Sequence, residues 1–217
     1  MTSSPPPLTT DELLTTTRTV RRRLDLDRPV PLELVHACVE IALQAPSGGN
    51  AQGWHWIVVT DAGQRAAIGE VYRECFAAYE ASKGFAGKLH AEDTTRSATQ
   101  QRVAGSASWL GQHMGEVPVL VLPCLQTHRP LPSGNQAGLW GSLLPAAWSY
   151  ALAARDRGLG TAWTTVHLAR EAEVATILAL PEGVHQGALI PTAFYTGTTF
   201  KPAPRQPLAE VLHTDRW

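Results

Sequence analysis

The sequence predicts an α+β protein, a mixed sheet flanked by helices, on three observations. Apolar-periodic helical segments and short β-rich runs interleave along the chain without the regular βαβ rhythm of a doubly wound parallel sheet. One segment, residues 137–157, is apolar around most of its circumference and belongs inside the protein or in a subunit interface. The 217 residues are 44% hydrophobic and 17% charged, an ordinary globular balance with length enough to bury a core.

The elements follow in order. The Ser/Pro-rich start, residues 1–8, is expected to be a disordered tail, leaving residues 9–217 as one domain. Thr9 or Thr10 caps a helix through Asp11, Leu13 and Leu14 toward Val20. Arg18, Arg21, Arg22 and Arg23 crowd its end, where cations suit the helix dipole. Pro29-Val30-Pro31 stops the chain and starts a helix from Leu32 to about Gln44, with Leu34, Val35, Cys38, Val39 and Ala42 on one face. Trp54 to Val59 reads as a buried strand. Residues 62 to about 82 return to helix, aligning Ile68, Val71, Tyr72, Cys75 and Tyr79.

Lys83 to Arg96 is polar and is expected to be a mobile excursion before a helix from about Ser97 to Met114. Val117 to Leu122 is a strand whose Pro118 points to an end or edge position. Gln126 to Gln136, with His128 inside it, is a loop. The apolar helix then closes at Gly158, a good residue just beyond a helix end. Gly160 to Trp163 is a short strand, Arg170 to Leu180 a helix ended by Pro181, and Ala188 to Gly197 a strand. Leu208 to Leu212 forms a final turn or strand.

A net charge of −1 gives no electrostatic footing for nucleic acid or an anionic membrane surface. Cys38, Cys75 and Cys124 are far apart and odd in number, so neither a disulfide framework nor a zinc site is expected, and a reducing cytoplasm fits. No secretory leader is read at the start, and the longest apolar stretch, Leu139 to Ala154, is interrupted by Ser142, Pro145 and Ser149. The eight histidines include no i, i+4 pair and no HExxH, so no metal is expected. Ser47 lacks the surroundings of a hydrolase nucleophile, and Gly158-Leu159-Gly160 lacks the third glycine of a dinucleotide fingerprint.

The most informative run is Ala45-Pro46-Ser47-Gly48-Gly49-Asn50-Ala51-Gln52-Gly53-Trp54. Glycine permits close approach, proline fixes φ, and Ser, Asn and Gln supply donors and acceptors, a suitable loop for presenting polar groups to a flat ligand. Arg18-Thr19-Val20-Arg21 near the start and Lys201 with Arg205 near the end add guanidinium and ammonium groups from both termini. Such a set suits a dianion such as phosphate. Solvated charges at a helix end are the competing reading for the arginines.

From Thr17 to about Val211 the chain resembles the FMN-dependent nitroreductase family. The residues carrying it are Thr17-Arg18-Thr19-Val20-Arg21, Pro29-Val30-Pro31, the loop from Ala45 to Trp54, Gly158-Leu159-Gly160-Thr161-Ala162-Trp163, and Lys201 to Leu208. The resemblance implies a mainly antiparallel sheet in an intertwined homodimer with one FMN in each interface. Arg18, Thr19 and Arg21 would hold the FMN phosphate and ribityl chain, with Arg205 completing the clamp and Lys201 beside it. Pro46, Ser47, Gly48, Asn50 and Gln52 would reach the flavin from the partner subunit. The main chain of Thr164, Thr165 and Val166 would face flavin N5 and O4, and no side chain is assigned a catalytic step.

Two departures qualify this. The first arginine common in the family's opening motif is Thr17 here, which shifts the phosphate grip toward Arg21 or Arg22. The proline usual before the loop's tryptophan is Gly53. Residues 73–115 match no part of the pattern and are expected to be a variable insertion. The activity implied is ping-pong transfer of hydride from NADH or NADPH to FMN and of electrons onward to a small planar electrophile, a nitroaromatic or quinone. A flavin-storing protein without turnover, a reductive dehalogenase of the same fold, and a deazaflavin electron donor remain open at this point.

Overall fold

The computed structural model describes residues 8–127, 130–198 and 200–217. The expected N-terminal tail, apart from Leu8, and His128 therefore lie outside the described residues.

Helix α1 (Thr10–Thr16) opens with a capping box in which the Glu12 N–H donates to the Thr9 hydroxyl and the Thr9 N–H donates to the Glu12 carboxylate at 2.9 Å. It ends at Thr16, well short of the expected Val20. The hydroxyls of Thr15, Thr16 and Thr17 donate back to the carbonyls of Asp11, Glu12 and Leu13, an arrangement that competes with helical continuation. Val20 instead donates its N–H to the Thr161 carbonyl at 2.8 Å. Arg18 and the arginines after it thus stand beyond the helix, and its dipole does not account for them.

Helix α2 (Leu32–Ala42) follows Pro31 and buries Val35, Cys38 and Ala42. Strand β1 (Trp54–Val59) leads to α3 (Ala62–Ala81), capped by the Asp61 carboxylate, which accepts from the Gln64 N–H at 2.8 Å. Helix α4 (Thr94–His113) begins three residues earlier than expected. Strand β2 (Val119–Gln126), helix α5 (Ala137–Asp156) and strand β3 (Leu159–Thr161) come next. A 3-10 turn, Val166–Arg170, and helix α6 (Glu171–Ile177) replace the single helix expected over 170–180. Strands β4 (Val184–Gln186) and β5 (Ile190–Phe194) complete the sheet, and a 3-10 turn occupies Leu208–Glu210. Strand β4, three residues long, was not expected.

The sheet runs β1-β2-β5-β3, with β4 also pairing β2, and every ladder is antiparallel. A parallel bridge, Thr19 with Thr161, attaches the arginine segment beside β3. Strand β2 is central, so of the two positions Pro118 suggested it takes the end, directly before the strand, and not an edge; it is Pro123 that sits within the strand. Strand β1 pairs along one side of β2; on the other, β5 covers Val119 to Val121 and β4 covers Cys124 to Gln126. Pro123 falls in the gap between β5 and β4, where its missing N–H disrupts no ladder and its carbonyl accepts from the Gly187 N–H at 2.9 Å.

Strand β2 divides the core by its period of two. Leu120, Leu122 and Cys124 pack with the α3 and α4 side, among Ile68, Tyr72, Phe76, Leu110 and Met114. Val119 and Val121 pack with the α2 and α5 side, among Val35, Cys38, Ala147 and Tyr150. Gly69 on α3 is required by a close approach: a Cβ there would lie 2.5 Å from the Gly115 main-chain nitrogen. All three cysteines are buried and free, Cys38 in the second layer and Cys75 and Cys124 in the first. Burial raises the Cys38 thiol to about 11 and the Cys124 thiol to about 12.

Helix α5 buries eight of its 20 residues, chiefly in its second half, while Leu144 and Trp148 remain 38% and 43% exposed. Leu208, Val211, Leu212 and Trp217 of the C-terminal tail are exposed as well. Among the described residues no helix is long and apolar enough to cross a membrane.

Candidate functional site

The segment after α1 spreads its arginines in two directions. Arg18 donates to the Lys201 carbonyl at 3.0 Å, so the two ends of the chain meet as the sequence suggested. Arg21 turns the other way and donates to Ser106 Oγ of α4 at 3.2 Å, with Tyr72 and Tyr79 of α3 nearby. Burial lowers its pKa, and the two phenols oppose that shift. Arg22 donates to the Gly105 carbonyl of α4 at 2.8 Å. The segment therefore stands between the C-terminal tail and α4.

The start of that tail is anchored by cations over aromatic rings. Arg23 donates to the Thr196 carbonyl at 2.6 Å and lies 4.2 Å from the Phe200 ring centroid. Buried Arg155 contacts the Tyr195 hydroxyl and lies 4.7 Å from the same Phe200 centroid. Lys201 follows directly. Arg205 is exposed and donates to its neighbour's carbonyl, that of Pro204, at 3.1 Å. Among the described residues, Arg18, Arg21, Arg22, Lys201 and Arg205 make no ion pair.

Beside Arg18 lies a small, partly open cleft of about 20 Å³. Thr17, Arg18 and Thr19 form one wall, Trp148 and Ala151 of α5 another, and Thr161, Trp163 and Ile190 the floor. Sequence reasoning had placed Arg18 and Thr19 here but not Trp148 or Trp163. Trp163 ends the Gly158-to-Trp163 run and was visible as part of a motif; Trp148 carried no signal beyond an apolar helix.

The loop from Pro46 to Gln52 lies elsewhere in the chain, against the first half of α5, and does not line that cleft. It carries a 3-10 turn, Gly48–Asn50, and left-handed residues Gly49, Asn50 and Gln52 at φ of 59°, 51° and 51°. The Gly48 N–H donates to Ser142 Oγ at 3.0 Å, and the Gln52 N–H donates to Ser47 Oγ at 2.8 Å. The Gln52 amide donates to Asn50 Oδ1 at 3.0 Å. Pro46, Gly48, Asn50 and Gln52 are exposed, so a loop held in a defined shape faces outward.

Thr164 exchanges main-chain hydrogen bonds with Leu189 at 3.1 and 2.8 Å, and its hydroxyl also donates to the Leu189 carbonyl at 2.7 Å. Its N–H is thus committed. Thr165 is exposed and opens the 3-10 turn that Val166 begins; opening N–H groups of such a turn have no partner inside it. Of the three expected main-chain donors, Thr165 and Val166 remain available. The other end of the turn is fixed through Gln186, whose N–H and side-chain amide donate to the Glu171 carboxylate and carbonyl at 2.8 and 2.9 Å. His167, inside the turn, is fully buried; burial lowers its pKa to about 4, and Gln186 acts against that shift.

Residues 14–192 match the sequence profile of the Nitroreductase family. Among curated proteins, iodotyrosine deiodinase 1 of Rattus norvegicus is 25% identical over 196 residues, covering 83% of this chain and 64% of that protein. Iodotyrosine deiodinase of Danio rerio is 26% identical over 170 residues, covering 76% of this chain and 54% of that one. The chain therefore spans less than two thirds of the length of these relatives. Among solved structures, an iodotyrosine deiodinase bound to FMN and 3-iodo-L-tyrosine superimposes with a TM-score of 0.68 at 22% identity, covering 95% of this chain and 98% of that one. The FMN and NADPH-dependent nitroreductase NfnB of Sphigopyxis sp. strain HMH gives a TM-score of 0.69 at 21% identity, covering 97% and 100%. These likenesses establish the fold.

Proposed function

The chain belongs to the nitroreductase family, and from that premise we propose that it is an FMN-dependent oxidoreductase, working as a homodimer with NADH or NADPH as donor and a small planar electrophile as acceptor. The observation that carries this reading is Arg18 bonded to the Lys201 carbonyl beside the cleft, both side chains without an ion-pair partner among the described residues, so that cations from the chain's two ends meet there. Cations left uncompensated beside a cleft fit an anionic ligand, and FMN brings a phosphate dianion with a planar ring. The residues present fit that group.

When bound, FMN supplies hydride and electron transfer at its ring. This chain's residues bind and orient it. Arg18 and Thr19 face the cleft, and Arg205 and Lys201 approach along the tail to hold the phosphate. Thr165 and Val166 would offer main-chain N–H donors to the ring from the opening of the 3-10 turn. The loop of Pro46, Ser47, Gly48, Asn50 and Gln52 faces away from its own protomer's cleft, which suits service to a partner's ring. Exposed Leu144, Trp148, Leu208, Val211 and Leu212 supply apolar surface for that partner to cover.

A second reading, reductive dehalogenation of an aromatic substrate, is favoured by the two deiodinase relatives. One set of assays separates them. The purified protein should carry a flavin spectrum and sediment as a dimer, and it should oxidise NADH or NADPH with a nitroaromatic or quinone. Turnover confined to a halogenated phenol would favour the second reading. FMN-loaded protein that used no reduced pyridine nucleotide would refute the donor assignment, and a flavin-loaded monomer would refute the shared site.

A further inference from the structure

The tail that carries Lys201 and Arg205 leaves the body of the protein at one aromatic ring. Beyond Phe200 every residue is exposed except Ala203, which is half-buried, and Arg18 takes hold of the tail at the Lys201 carbonyl. Phe200 is half-buried against the core, and two guanidiniums lie over its ring, Arg23 at 4.2 Å and Arg155 at 4.7 Å from the centroid. Tyr195 meets it edge-on with 5.0 Å between ring centroids, and each guanidinium also lies 5.5 Å from the Tyr195 centroid. The chain passes close to this cluster: a Cβ at Gly197, where φ is 78°, would lie 2.8 Å from Arg23 Nη2.

Arg155 is the unusual member. It is 9% exposed and shares one face of α5 with Trp148 and Ala151, at i, i+3, i+7 spacing, one turn beyond the cleft wall that those two residues form. No carboxylate among the described residues pairs with it, and its Nε has no hydrogen-bond partner. A buried guanidinium compensated by a phenol and two rings is costly, and an apolar side chain of similar size would serve packing better. What this cation touches is the root of the tail, the Tyr195 hydroxyl and the Phe200 ring. Resting on the functional reading above, we propose that Arg155 and Phe200 are positioning residues: with Arg23 they fix where the tail leaves the body, so that the Lys201 carbonyl meets Arg18 and holds its guanidinium at the cleft. The path is short. Arg155 holds Phe200, the next residue supplies the carbonyl 3.0 Å from Arg18 Nη1, and Arg18 lines the cleft. A fixed acceptor narrows the conformations of a long side chain before the anion arrives, which lowers the ordering cost of binding and leaves the other guanidinium donors for the ligand.

The test compares wild type with Phe200→Leu, Phe200→Tyr and Arg155→Met, reading FMN affinity from flavin fluorescence and tryptic cleavage after Arg205 from mass spectrometry. Phe200→Leu and Arg155→Met are expected to weaken FMN binding roughly five- to tenfold and to quicken cleavage of the released tail. Phe200→Tyr, which keeps a ring under both cations, should match wild type in both readouts. In an Arg18→Ala background Phe200→Leu should cost little further affinity, because its effect passes through Arg18; a merely structural role would cost the same in either background. If Arg155→Met does not fold, Phe200→Leu carries the same readouts. An equal loss of affinity in the two backgrounds overturns the inference, and so does faster cleavage with FMN affinity unchanged. Wild-type protein that binds no FMN overturns the functional reading and this inference with it; FMN bound with indifference to Phe200 and Arg155 overturns the inference alone.

Discussion

Replacing His167 by glutamine removes a titrating group from a site with no exposed surface. In the folded protein burial holds this imidazole neutral down to about pH 4, whereas in the unfolded chain it protonates near 6.5. Between those values the unfolded state binds the extra proton. Stability from the buried neutral ring is therefore fully present above pH 6.5, declines as pH falls and is gone by about pH 4. At about 1.4 kcal/mol for each pH unit of that window, the whole loss is about 3 kcal/mol, a large share of a domain's net stability. Urea unfolding of wild type and His167→Gln at half-unit steps from pH 4 to 7.5 measures it, because titrating carboxylates affect both proteins alike. The variant begins lower at pH 7, from lost packing, but its curve should be flatter by that amount across the window. Parallel curves would refute the account of His167 as a buried neutral base.

Three other outcomes follow from particular contacts. Gly69→Ala places a methyl against the Gly115 backbone and should destabilise the protein by about 1–3 kcal/mol in urea unfolding, with no effect if α3 and the Met114–Glu116 turn can separate freely. Ser142→Ala removes the acceptor for the Gly48 N–H; amide hydrogen exchange over residues 47–52 should quicken while global stability falls by less than about 1 kcal/mol, and unchanged exchange would show that Ser142 does not hold the loop. Arg205→Ala should weaken FMN retention about tenfold or more with the fold intact, since the side chain is exposed; equal flavin affinity would remove Arg205 from the phosphate clamp.

The elements with strong periodicity were legible at once. Strand β1 matches its expected bounds residue for residue, and the apolar helix over 137–157 falls within one residue of α5. Local chemistry misled where competing bonds decided the outcome. The run Thr15-Thr16-Thr17 has hydroxyls that turn back on α1 and end it early, which a count of apolar positions does not register. Pro123 sits in a central strand because that strand's neighbours change beside it, a tertiary fact with no local sign. In the candidate site, cations near both termini were readable from residue types, and Arg18 donates to the Lys201 carbonyl. The turn of Arg21 and Arg22 toward α4 was not, because a residue's type does not say which of two flanking surfaces a long side chain will follow.

The buried thiols have a practical use. Each is shut away in one of two layers, Cys38 behind α2 and α5, Cys75 and Cys124 behind α3 and β2, and burial makes reaction of the folded form slow. Alkylation therefore reports excursions of the native protein, and the order in which the three sites take up label distinguishes which slab of the sandwich loosens first. If FMN seats beside α5 as proposed, its addition should slow labelling of Cys38 more than that of Cys75 and Cys124, giving a clock for each half of the molecule without a single substitution.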